Sequence, residues 1–265
     1  MALTLAGCGE APLNSPYPAS ERDANTLYAA FAERPKHLDP AVAYSSNEYA
    51  FIQQVYEPPL QYHYLRRPYT LEPLSATELP RVTLLDAAGQ ALPAGSDPTL
   101  AKASIYELRI RAGVRYAPHP ALARGGDGKL LYRRLDGAAL AGIDTLGDFA
   151  QRGSRELTAA DFAYQIKRLA SPSVQSPIRG LLQAHVAGFA ELADALAKAD
   201  AGHWLDLRRF ELAGVEVVDR YTLRIRLNDV YPQFQYWLAM PFFAPLPWEA
   251  DRFYSQPGLA AKNIT

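Results

Sequence analysis

The chain has 265 residues, 49% of them hydrophobic, which is ample for a core in one large domain or two small ones. Its 27 basic and 28 acidic residues leave a net charge of −1, so there is no electrostatic basis for binding nucleic acid or an anionic membrane surface. The single cysteine, Cys8, excludes a disulfide framework and a thiolate metal cluster.

Taken in order, the chain opens on a short apolar run, Leu3–Cys8, ending Leu-Ala-Gly-Cys. This looks like a bacterial lipobox, in which small residues expose the bond before a cysteine that then carries a lipid. The apolar run is shorter than that of a complete signal peptide, and no basic residue precedes it. Gly9–Arg22, rich in Pro, Ser and Asn, reads as a tether. Leu27–Ala32 has the texture of a buried strand. Pro35 and Pro40, flanking Leu38-Asp39, then break regular structure. Ser45 or Ser46 is placed to N-cap a helix carrying Tyr49, Ile52, Gln53 and Tyr56 at helical spacing, and Glu57-Pro58-Pro59 stops it. A rigid polar loop between a strand and a helix is a place to hold a ligand.

Gln61–Tyr69 reads as extended and aromatic, continuing through Thr70–Leu79 toward Pro80. His63 stands among tyrosines with no acidic or thiol partner, which predicts a structural role. Arg81–Asp86 and Ile105–Arg111 alternate as strands, and Ala87–Ala103 between them is a loop or lengthened hairpin. Ala117–Glu156 is the least regular part. Its Gly125–Gly128 run has no GK[ST] after it and predicts an exposed turn rather than a phosphate cradle. His119 lacks metal-ligand company, and Asp127 lacks a calcium-loop spacing with Asp144 or Asp148.

Regular structure returns at Leu157–Phe162. Thr158 and Asp161 stand in a capping-box relation, and Phe162, Ile166 and Leu169 follow at helical intervals to Ser171-Pro172. Ile178–Leu182 and Leu192–Leu196 are short helical candidates. Gly214–Val218 and Thr222–Leu227 form a hairpin turning at Asp219–Tyr221. A helix-like run follows Tyr231-Pro232 through Phe234 and Leu238, the apolar MPFFAPLP segment covers Met240–Pro247, and Trp248–Tyr254 predicts a last helix.

Three of these elements, in this order, resemble the family 5 extracellular solute-binding proteins of ABC transporters, the oligopeptide- and dipeptide-binding group. They are the LDP loop and helix ending VYEPPL (Leu38–Leu60), the Leu-Thr-Ala-Ala-Asp-Phe helix with Ile166–Leu169, and the Asp219–Leu227 strand followed by PFFAPLP. Tyr106–Tyr116 is similar to that family's strand ending in a Gly-Val pair, with Ala112 where the family usually has Lys or Arg. Pro58 or Pro59 occupies the place of a family glycine, and the insertion Ala117–Glu156 marks a lengthened subfamily.

The resemblance implies an α/β fold, of periplasmic-binding-protein type II-like two-lobed architecture, here only part of the first lobe with its extra β-rich domain. Residues 1–24 would be signal remnant, lipobox and tether. Residues 25–60 and 157–265 would be first-lobe segments, 61–156 the β-rich extra domain, and the second lobe would be absent. The chain is then expected to be the N-terminal part of a longer protein, with weak or no ligand binding of its own. An apolar face including Phe242, Phe243 and Leu246 is expected to be exposed where the missing part would pack.

The implied function is the substrate-binding component of an ABC importer, capturing peptides outside the inner membrane and handing them to a permease. Ligand contacts are expected from Tyr44, Ser45, Ser46 and Asn47, with Tyr116 as a further candidate, and lipidation at Cys8. The partners would be a peptide and the permease, for a monomer held to the membrane by its lipid, with no cofactor, metal or nucleic acid. A periplasmic hydrolase and a non-transport lipoprotein are the alternatives, although no G-x-S-x-G or H-E-x-x-H motif occurs.

Overall fold

The computed structural model describes residues 18–21, 30–199, 202–262 and 264. Cys8, most of the Gly9–Arg22 tether and Leu27–Ala29 of the first expected strand lie outside the described residues. Ala30–Ala32 are not in a strand, and the segment 18–21 holds one 3-10 turn, Ala19–Glu21. Residues 35–265 form one compact unit, to which everything below belongs.

Its centre is a four-stranded antiparallel sheet of β3 (Arg81–Leu85), β4 (Ala103–Arg109), β5 (Val215–Val217) and β6 (Thr222–Leu227), in the order β3-β4-β6-β5. The register sets Tyr106 opposite Ile225 and Leu108 opposite Leu223, and all four are buried. The alternation read from the sequence therefore selects the core face, because side chains two apart share one side of a strand. β4 belongs to the stretch 61–156 and β6 to the stretch 157–265, so these two stretches share the sheet.

The helix α2 (Ala159–Arg168) lies on this sheet with Phe162, Ile166 and Leu169 almost fully buried. Thr158 and Asp161 form the expected capping box, and an Asp 161 oxygen accepts from the Thr158 N–H at 2.9 Å. The same carboxylate is clamped by Arg155, whose Nη1 and Nη2 donate to it at 2.9 and 2.6 Å. Arg155 also donates to the buried Glu249 from Nε (3.0 Å) and Nη2 (2.8 Å). Arg124 Nη2 donates to Glu249 as well, at 3.1 Å, so two carboxylates and two guanidiniums satisfy one another, which is the condition for burying charge. α3 (Arg179–His185) and α4 (Phe189–Ala199) complete the layer and are longer than their sequence patterns indicate.

Three expectations need revision. The aromatic stretch after Leu60 does not run on as one extended segment. It folds back as a hairpin of β1 (Leu60–Tyr62) and β2 (Leu71–Pro73), with the His63 N–H donating to the Thr70 carbonyl at 2.8 Å. His63 Nδ1 accepts the Leu65 and Arg66 N–H groups, each at 3.2 Å, which is what turns the chain. The inserted segment 117–156 is irregular in secondary structure but builds a second core. Leu135, Leu140 and Phe149 pack with Phe253 and Leu259, which belong to α6 (Trp248–Tyr254) and α7 (Pro257–Ala261). Finally, Phe242 and Phe243 are buried and Leu246 is partly buried, so the MPFFAPLP segment is core and not an exposed face.

Candidate functional site

The short helix α1 (Ser46–Ile52) is organised by Glu48, a buried carboxylate in its first turn. Glu48 Oε1 accepts the His37 N–H at 2.9 Å, and Oε2 accepts the Tyr44 and Ser45 N–H groups at 3.1 Å each. One side chain thus closes the loop 37–45 onto the helix, with Ser45 as N-cap. The Ser45 hydroxyl and then these N–H donors outweigh burial and hold the Glu48 carboxyl at about 2.

The loop is tied to the rest of the fold by Asp39. Its carboxylate receives Arg168 Nη1 at 2.9 Å and Nη2 at 2.5 Å, and Arg168 Nε reaches Asp251 at 3.0 Å. Burial alone would raise the Asp39 carboxyl, yet the bonds and charge of Arg168 leave it below its ordinary value. Desolvation likewise opposes the Arg168 charge, and its two carboxylate partners more than restore it. The third motif is fastened by Gln165 of α2, whose Nε2 donates to the Phe242 carbonyl at 3.0 Å. The Leu60 N–H donates to the Leu238 carbonyl at 3.2 Å. The three motifs that are far apart in sequence are therefore one assembly.

Between them lies an open groove of about 480 Å³. Tyr44, Ser45, Ser46 and Tyr49 form one side, and Met240, Pro241 and Phe242 the other. Phe242 supplies a buried floor, and the 68% exposed Tyr44 stands over it with ring centroids 6.0 Å apart. Among the described residues no Asp, Glu, Lys, Arg or His lines this groove, so hydroxyls and backbone are its polar groups. Such a surface binds an uncharged, hydrogen-bonding chain better than a point charge.

Of the expected site residues, Tyr44, Ser45 and Ser46 come together here, and Asn47 follows them in the first turn of α1. Tyr116 does not line the groove. Its ring sits 5.3 Å from the Arg155 guanidinium, and its hydroxyl is buried near Asp161, where burial first and that carboxylate second push its pKa far up. The opposite wall, Met240–Phe242, went unassigned in the sequence, although its apolar, proline-punctuated run was the available signal.

The histidines are distributed elsewhere. His119 Nδ1 accepts the Ala121 N–H at 3.0 Å while Nε2 meets the Tyr254 hydroxyl at 2.9 Å, and His185 pairs with Asp229 at 2.8 Å. Among the described residues no group of three or more His, Cys, Asp or Glu could hold a metal ion. No helix among them is long and apolar enough to cross a membrane.

No family model matches the chain. The periplasmic oligopeptide-binding protein OppA of Escherichia coli K12 is 31% identical to it over 112 residues, which is 40% of this chain and 19% of OppA. The structure of an OppAIV periplasmic oligopeptide-binding protein of Borrelia burgdorferi superposes with a TM-score of 0.50 at 15% identity, over 84% of this chain and 31% of that one. The murein tripeptide-binding protein MppA of Escherichia coli gives 0.47 at 19% identity, over 81% and 29%. This chain thus spans 19% to 31% of the length of these relatives. Over the 112 matched residues the chain is thus similar in sequence to a periplasmic oligopeptide-binding protein, and its fold is of the type II periplasmic-binding-protein kind.

Proposed function

We propose that the groove between α1 and the Met240–Phe242 segment is one wall of a peptide-binding cleft in the substrate-binding component of an ABC importer. The observation that carries this reading is the groove's chemistry: a buried aromatic floor, a rim of tyrosine and serine hydroxyls, and no ionised lining side chain. A peptide main chain carries no charge along its length and offers a donor and an acceptor at each residue, which suits such a wall. The chemistry of the groove also favours binding over hydrolysis, since no histidine among the described residues lines it to act as a base for Ser45 or Ser46. Tyr44, Ser45 and Ser46 are the contacts, with Asn47 at their border.

In this reading the protein works outside the inner membrane, held there by a lipid on Cys8, and passes its peptide to a membrane permease. Closure of an opposite lobe over the ligand would complete the site. The test is a thermal-shift screen of the protein carrying this chain against di- to pentapeptide pools, nickel complexes and sugars. A ligand that binds only the native state raises the melting midpoint. A rise with peptides is expected. A rise with sugars or nickel complexes, with every peptide pool inert, would sink the assignment.

A further inference from the structure

A second concavity, of about 360 Å³, lies between α1 and the β1–β2 hairpin. It adjoins the first groove, since Tyr49 and Pro241 line both. Five tyrosines line it, namely Tyr49, Tyr56, Tyr62, Tyr64 and Tyr69. Tyr62 meets Tyr69 edge-on, with ring centroids 5.9 Å apart and planes at 73°, and stacks on Tyr236 at 6.2 Å and 14°. Much of this aromatic surface remains open, with Tyr64 87% and Tyr69 66% exposed.

Charge is one-sided here. Among the described residues Arg67 is the one lining the pocket with a fixed charge, and none lining it is a carboxylate. Its guanidinium lies 4.8 Å from the Tyr69 ring centroid and donates to the Tyr64 carbonyl at 3.3 Å and the Arg66 carbonyl at 2.8 Å. The cation is therefore positioned at the pocket, where it attracts an electron-rich ring face and repels an ammonium group.

We propose that this pocket is a side-chain subsite that accepts an aromatic residue of the bound peptide and rejects a lysine. This rests on the peptide reading of the adjoining groove. A phenyl ring finds tilted and edge-on partners already in place, which is the arrangement aromatic pairs prefer. The volume lies at the small end of ligand pockets, as suits one side chain rather than a whole solute. Gln53, Gln61 and the tyrosine hydroxyls could also accept from a sugar, which is why a sugar stands beside the peptides in the test.

The experiment titrates the protein carrying this chain with Ala-Phe-Ala, Ala-Lys-Ala and Ala-Ala-Ala, and follows N-acetylphenylalanine amide and maltotriose separately by saturation-transfer NMR. The Phe peptide should bind roughly three- to tenfold tighter than the Ala peptide, with the Lys peptide weakest. Tyr62→Ala should erase the Phe advantage and the saturation of the phenyl protons. Arg67 is exposed and away from the core, so Arg67→Glu is a second variant, which should lift the Lys peptide above the Ala peptide.

Equal affinity for the three peptides, a Phe advantage that survives Tyr62→Ala, or Tyr62-dependent saturation of maltotriose would overturn the subsite. If no tripeptide binds while the phenyl protons still saturate in a Tyr62-dependent way, the groove reading fails and the aromatic pocket stands. Tripeptide binding that depends on Tyr44 without a Phe preference gives the reverse.

Discussion

Arg168, at the end of α2, donates two parallel N–H···O bonds to Asp39, in the loop that shapes the groove, across 129 positions of sequence. Arg168 is largely buried and holds Asp251 as well, so it is the link between loop, helix and α6. Asp251 in turn accepts from the Tyr164 hydroxyl at 2.6 Å and the Trp204 Nε1 at 2.8 Å. Arg168→Met should leave two carboxylates without their cation and lower stability by about 3 kcal/mol, the low end for breaking a buried pair because Asp39 is partly exposed. Chemical denaturation measures this. A double-mutant cycle with Asp39→Asn should show a coupling above roughly 0.5 kcal/mol, and additivity would refute the link.

Glu48 makes the groove acid-sensitive. Its carboxyl has a pKa near 2 in the fold against an ordinary value of 4.5. A depressed carboxylate contributes stability that is present above about pH 4.5 and lost as pH falls toward about 2, because the unfolded chain takes up the proton first. Between pH 5 and 2 the urea midpoint should fall, and Glu48→Gln should flatten that fall. An unchanged pH slope in the variant would remove Glu48 from the account.

Tyr44 and Phe242 face each other but should respond differently to truncation. Phe242 is 1% exposed, so Phe242→Ala opens a core cavity and should cost about 3–5 kcal/mol. Tyr44 stands in solvent, and Tyr44→Ala should change stability by no more than about 0.5 kcal/mol while abolishing measurable peptide binding. Denaturation and titration calorimetry on the same two proteins separate floor from contact. Intact binding by Tyr44→Ala would take Tyr44 out of the site.

Gly153 is pinned against the 3-10 turn Pro120–Leu122 of the inserted segment. It exchanges N–H···O bonds with His119, at 3.0 and 2.8 Å, and a Cβ there would lie 2.1 Å from the Leu122 carbonyl oxygen. Gly153→Ala should therefore cost about 1–3 kcal/mol through overpacking, more than it gains by restricting the unfolded chain. The melting temperature and the near-ultraviolet signal of the neighbouring aromatic cluster report it. A neutral variant would mean that the backbone here yields easily.

Local patterns were readable wherever one residue decides one element. Thr158 with Asp161, the alternation through Tyr106, Leu108 and Ile110, and Trp248–Tyr254 all occur as the sequence indicates. Caps and periodicities act within a few residues, so they survive in one dimension. Pairings were not readable in this way. Nothing local states that Glu48 collects the His37, Tyr44 and Ser45 N–H groups, or that Arg155 holds Asp161 and Glu249 together.

The same division holds for the groove. The sequence by itself determined the Ser45 cap, the proline-bounded loop and the motif order on which the family resemblance rests. Only the tertiary structure decided that Phe242 lies beneath Tyr44 and is not an exposed face, and that Tyr116 packs under Arg155 away from the groove. The reason is physical. Burial depends on which surfaces meet after the chain folds back, and an apolar run such as MPFFAPLP has the same composition whether it becomes floor or surface.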